Sequence, residues 1–124
     1  MGSIETTKDI SSELTINIAK GKIMAEDLLN WVSDYYSGTV TKLILWNCIE
    51  ADLSNITSEE FEKIARLVKK RSDIRKSGKT AFVFNRDVEF GLGRMYEALS
   101  KIEDIQSENK TFRDMTEAKK WLGV

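Results

Sequence analysis

Histidine and proline are missing from this chain, and cysteine occurs once, at position 48. Without histidine there is no His-dependent catalytic triad and no zinc-finger spacing, and a lone cysteine cannot build a disulfide framework. Without proline there is no cis-prolyl turn. No apolar run approaches the roughly 20 residues of a transmembrane helix. Charge of one sign is not in excess either, with 19 Lys+Arg against 20 Asp+Glu, so the chain lacks the basic surplus of a nucleic-acid binder. What is present is a 41% hydrophobic content, too high for intrinsic disorder, in 124 residues. That length predicts one domain over 1–124 with a real core, its first few residues flexible, in a soluble cytoplasmic protein.

The N-terminal Met1-Gly2-Ser3-Ile4-Glu5-Thr6 satisfies the loose myristoylation pattern. A single acyl chain anchors only marginally without a basic patch. Residues 1–22 set Lys8, Lys20 and Lys22 against Glu5, Asp9 and Glu13. No such patch exists, and the lipidation reading is set aside.

Hydrophobic periodicity gives the element order. Leu14-Thr15-Ile16-Asn17-Ile18 alternates as a half-buried strand does, with Gly21 as a turn and Ile4–Asp9 as an edge-hairpin partner. Met24, Leu28, Leu29, Val32, Tyr35 and Tyr36 share a helical arc that Gly38 stops. Leu43-Ile44-Leu45-Trp46 and Ala81-Phe82-Val83-Phe84 are continuous apolar runs, as in strands buried on both faces. Between them, Thr57-Ser58-Glu59-Glu60 has the capping-box form. It opens a helix with a stripe of Phe61, Ile64, Ala65, Leu67, Val68 and Ile74, ended by Gly78. A third helix is predicted over about 87–102, burying Phe90, Leu92, Met95, Leu99 and Ile102. A last strand over 110–113 precedes an amphipathic helix opened by the pair Asp114 and Glu117. Strands alternating with helices over short connections predict an α/β domain with a mainly parallel sheet.

Local motifs are weak. Gly78-Lys79-Thr80 resembles the end of a P-loop, yet the required earlier glycine is Asp73, and the tripeptide leaves a helix and enters a strand. Gly91 and Gly93 supply two glycines of a dinucleotide fingerprint whose third position is Tyr96. They fit either close packing of the helix start, which local sequence favours, or backbone approach to a ligand. Residues 57–80 carry 8 basic and 4 acidic groups, read as a solvated helix face in preference to a docking surface. Cys48, Trp31, Trp46 and Trp121 read as core. Glu50 with Asp52, and Asp87 with Glu89, have ordinary surface spacings.

Three stretches carry a family resemblance. They are 79–84 (Lys-Thr-Ala-Phe-Val-Phe), 90–99 (Phe-Gly-Leu-Gly-Arg-Met-Tyr-Glu-Ala-Leu) and 112–122, which ends Glu-Ala-Lys-Lys-Trp-Leu. Together they resemble the small bacterial STAS-like proteins, related in fold to anti-sigma-factor antagonists and to lipid-transfer domains of the CRAL-TRIO type. The resemblance implies a four- or five-stranded sheet with an antiparallel N-terminal edge pair and about four helices. Anti-sigma-factor antagonists carry an Asp-Ser-Ser-Gly-Leu phosphorylation site after the central strand. The corresponding 52–59 segment lacks it, and leaves Ser58 as a candidate beside repelling Glu59 and Glu60.

The preferred function is a non-enzymatic regulatory or protein-interaction module, its surface around residues 52–58 and the second helix, with homodimerisation open and no metal or cofactor. The alternative is a carrier or sensor of a small anionic or lipid-like ligand. Its candidate site lies beyond the carboxyl ends of the strands, at Asn47, Asn85, Arg86, Gly91, Gly93 and Arg94.

Overall fold

The computed structural model describes residues 2–124; Met1, among the first few residues expected to be flexible, lies outside them. The elements run β1 (Ser3–Asp9), β2 (Leu14–Lys22), α1 (Ala25–Ser37), β3 (Leu43–Asp52), α2 (Ser58–Lys69), a 3-10 turn (Ser72–Arg75), β4 (Lys79–Val83), α3 (Asp87–Ile102), β5 (Glu108–Phe112) and α4 (Met115–Leu122). The five strands lie in sequence order, with β1 antiparallel to β2 and the rest parallel. This is the α/β architecture that the periodicity predicts. Trp46 stands opposite Phe82 on the two interior strands, where the apolar runs put them.

Sequential order has a steric consequence. Crossovers of one hand that always step the same way put every connecting helix on the same face. So α1, α2 and α3 share one face, over a core that includes Ile23, Val32, Ile44, Trp46, Phe61, Ile64 and Phe84. The opposite face has only α4, eight residues long, over Leu45, Ala81, Val83 and Phe112. Helix ends are fixed as the sequence suggests. The Glu60 amide donates to Thr57 Oγ1 (3.2 Å) and the Thr57 amide to Glu60 Oε1 (2.9 Å). At α4 the Thr116 amide donates to Asp114 Oδ1 (2.8 Å).

Four local expectations are corrected. Gly21 does not turn the chain: β2 runs on to Lys22, and a φ of +74° lets it bend near the register shift between Ile18 and Lys20. The alternation in β2 does not separate core from solvent, because Thr15 and Asn17 are fully buried while, on the other face, Leu14 is buried in the α4-side core and Ile16 and Ile18 are half-buried. Thr15 can take the buried side because its hydroxyl bonds that of Thr41 (2.7 Å), and Asn17 because its Oδ1 accepts from Thr6 (2.8 Å). The second helix stops at Lys69, not at Gly78, leaving Ile74 exposed and drawing Arg75 inside. In α3 the fully buried positions are Glu89, Gly93, Tyr96 and Ser100; the expected Phe90, Leu92, Met95 and Leu99 pack half-buried against the core, while Ile102 is 75% exposed. The most buried line is offset from the apolar one, and at Gly93 α3 comes so close to Thr111 of β5 that no larger residue fits.

Candidate functional site

The carboxyl ends of β3 and β4 hold a network of charges. Arg86 is the N-cap of α3, in extended backbone, and Glu89 sits in the first turn. Arg86 donates to Glu89 through Nε (2.8 Å) and Nη2 (2.6 Å), and to Asp52 Oδ1 through Nη2 (3.1 Å). Glu89 is 1% exposed, contrary to the surface spacing read from sequence, and also accepts from the Leu53 amide (3.2 Å). One carboxylate therefore ties the α3 start to the loop after β3. Asp52 bonds the Ser54 hydroxyl and amide, which hold its carboxyl below the usual range, with Arg86 adding to the effect. Arg113 closes the next pair, donating to Asp87 at 2.6 Å.

The sequence-predicted residues divide. Asn85 and Arg86 do follow the end of β4, but Asn47 lies mid-strand, because β3 runs on to Asp52 after its pairing with β4 stops. Asn47 accepts from the Ile49 amide (3.2 Å), beside the β2–β3 register shift. Asn85 offers its carbonyl to Arg113 (3.4 Å). Arg86 is fully engaged with two carboxylates, so the local charge is net acidic. Gly91 faces open space, whereas a Cβ on Gly93 would meet Thr111 at 2.7 Å and Phe84 at 2.8 Å. Close packing thus accounts for Gly93. Arg94 is exposed and pairs with Glu97 (3.7 Å), turned along the helix and not back toward its first turn. Ser58 is the exposed first residue of α2. Lys79, the P-loop look-alike, donates to the Trp121 carbonyl (3.1 Å) and lies 5.1 Å from that ring's centroid.

The monotone strand order has no reversal, hence no switch-point crevice of the kind that holds ligands in open α/β sheets. The concave feature lies inside. A cavity of about 90 Å³ opens between the sheet and α1–α3, walled by Trp31, Trp46, Phe61, Phe82 and Leu92 among others. Cys48 lines it too, and burial, with a contribution from Glu89, pushes its thiol up to about 12. No acidic side chain lines the cavity; Arg75 is its one charge. Arg75 is 2% exposed, with Nε on the Thr41 carbonyl (2.9 Å), Nη1 on Thr80 Oγ1 (2.9 Å), and Nη2 on the carbonyls of Lys42 (2.8 Å) and Lys79 (2.9 Å). Sequence reasoning missed Glu89 and Arg75. Glu89 leaves a faint signal, an acid three residues after an N-cap arginine. Arg75 leaves none, since its acceptors are carbonyls of distant residues.

The sequence matches no protein-family model and no curated protein. Among solved structures, an uncharacterised protein of the DUF3478 family with a SpoIIAA-like fold, from Shewanella loihica PV-4, is similar. The likeness covers 98% of this chain and 93% of that one, with a TM-score of 0.60 and 18% sequence identity. A five-stranded mixed sheet with its single antiparallel pair at the N-terminal edge, shared over nearly the whole length, gives this chain a SpoIIAA-like, that is STAS-like, fold.

Proposed function

We propose that the protein is a cytoplasmic, non-enzymatic protein-interaction module of regulatory type, and that its partner docks on the uncovered half of the α4 side of the sheet. The observation that carries this reading is the α4-side face of β2, where apolar burial runs out toward β1. Ile16 packs half-buried at the margin of the α4-side core and Ile18 lies half-buried beyond it, opposite Thr7 and Glu5 of β1, because α4 sits mainly over β3, β4 and β5. Partly buried isoleucines on a stretch of sheet that no helix fully covers offer an apolar surface a partner can complete. Glu5 and Asp9 border them, which suits a partner with cations around an apolar centre. In the loop 52–58 and at the two ends of α2, part of the surface that sequence reasoning put forward, polar groups are taken up by internal bonds: Asp52 with Ser54 and Arg86, Thr57 with Glu60, Lys69 with the Asp104 carbonyl. An absence of chemistry supports the non-enzymatic part. There is no histidine, the one thiol is buried and protonated, and the buried carboxylate is committed to an arginine and an amide.

Site-specific photo-crosslinking tests the placement. A crosslinker at Ile18 in the native cell should capture a defined protein, and Glu5→Lys, on the exposed residue opposite Ile18, should weaken capture with little change in stability. Crosslinks from Lys63 on α2 but not from Ile18 would refute it.

A further inference from the structure

One edge of the sheet is capped and the other is open. The Glu108 amide donates to the Gly78 carbonyl and the Phe84 amide to the Phe112 carbonyl, so even-numbered residues of β5 face β4. The backbones of Ser107, Asn109 and Thr111 therefore face outward. There Glu97 of α3 takes the Thr111 amide (2.9 Å), and the Asn109 side chain donates to the Ser107 carbonyl (3.2 Å). At the far edge, the Leu43 amide donates to the Glu13 carbonyl (3.0 Å), which turns odd-numbered β2 residues toward β3 and even-numbered ones toward β1. Glu5 and Thr7 stand opposite Ile18 and Ile16 and so face β2, which leaves the backbones of Ile4, Thr6 and Lys8 facing outward. None of these outward groups has a partner among the described residues. The usual devices that blunt an edge are also missing from β1. It has no proline, its register with β2 is unbroken over 7 residues, and its one lysine is drawn to the Thr39 carbonyl (2.6 Å).

We infer that a second copy of this chain occupies that edge, β1 against β1 in antiparallel pairing about a two-fold axis at Thr6, merging two sheets into one. Such an axis pairs residues of equal parity, and charge selects its position. Centred on Glu5 it sets that carboxylate against itself, and centred on Thr7 it sets Glu5 against Asp9. Centred on Thr6 it pairs Thr6 with Thr6, Ile4 with Lys8, Glu5 with Thr7 and Ser3 with Asp9, so no like charges stand opposite. That register also uses every outward N–H and C=O of Ile4, Thr6 and Lys8. It brings Lys8 of one copy beside Ile4 of the other, which shares a surface pocket with Asp27 and Asp34 of α1. The contact uses the edge of β1 and not the face of β2, so it stands apart from the docking surface proposed above.

Sedimentation velocity of the full chain over a concentration series should show a monomer–dimer equilibrium. Lys8→Pro removes an amide that bonds nothing in the single chain, so it should abolish the dimer with the fold intact by circular dichroism. Lys8→Glu, which sets like charges together at the same place, should weaken the dimer by about tenfold or more. Cysteines read the register. Glu5→Cys and Thr7→Cys chains, mixed and mildly oxidised, should form a disulfide with each other, since opposite Cα atoms lie about 4.5 Å apart in such a pair. Neither should crosslink alone, and the buried, protonated Cys48 does not compete. The inference fails if the chain stays monomeric at millimolar concentration, if Lys8→Pro or Lys8→Glu leaves the dimer unchanged, or if either cysteine variant crosslinks alone.

Discussion

An alanine at position 93 would set its Cβ 2.7 Å from Thr111 Cγ2 and 2.8 Å from Phe84, whereas one at position 91 would meet nothing within 4 Å. The two glycines therefore respond oppositely. Gly93→Ala should destabilise by about 1–3 kcal/mol through overpacking of the α3–β5 contact. Gly91→Ala should stabilise by about 0.5–1 kcal/mol through lost unfolded-state freedom in a helix. Urea midpoints of the two variants measure both signs. Glu89 is the other single residue with large leverage. Its replacement by alanine orphans the Leu53 amide and strips Arg86 of its buried partner, so a loss of about 2–3 kcal/mol is expected in the same assay. A serine at position 54 would then still hold Asp52, so the 52–54 turn should persist in amide NMR spectra.

Elements were more legible than the residues that dock them. Both strands with continuous apolar runs, the Thr57 capping box and the span of α3 follow from local pattern, because periodicity and caps are properties of neighbouring residues. What local pattern could not show is which face of an element the rest of the chain covers. Thr15 and Asn17 are buried only because Thr41 and Thr6 come from other elements to bond them. Arg75 is buried only because β3 and β4 start with carbonyls turned toward it. Asn85 and Arg86 were legible as residues of a strand end, whereas Asn47 was not, because β3 outlasts its apolar run, and the ion network that engages Arg86 depends on Asp52 from another element. At this scale, Thr57→Ala should cost about 1 kcal/mol by removing the acceptor for the Glu60 amide. Phe82→Ala should cost about 3 kcal/mol, the lower end for a core aromatic, because its ring is only partly buried and already borders a cavity. Guanidinium denaturation would check both, and a near-neutral Phe82→Ala would contradict the interior position of β4.

For the whole molecule, the groups shifted upward by burial set an alkaline limit. The Cys48 thiol stands at about 12 in the folded state against an ordinary 9.0, and burial raises Tyr36 and Tyr96 as well. The unfolded chain therefore loses these protons first. Their contribution is complete below pH 9 and declines as pH rises toward the folded values. Cys48 alone should remove about 1.4 kcal/mol between pH 7 and pH 10. Cys48→Ala should flatten that part of the curve in urea titrations at stepped pH, and the wild-type thiol should resist iodoacetamide at pH 8. The monotone order of the strands also bears on how the chain is made. Each strand from β2 onward pairs with the one synthesised just before it, so every new βα segment leaving the ribosome meets a finished edge. No strand has to wait for a distant partner, which keeps contact order low for a mainly parallel sheet. Residues 113–124, which shield the α4 side of β3, β4 and β5, emerge after all three strands, so until they arrive that growing apolar face is open to chaperones.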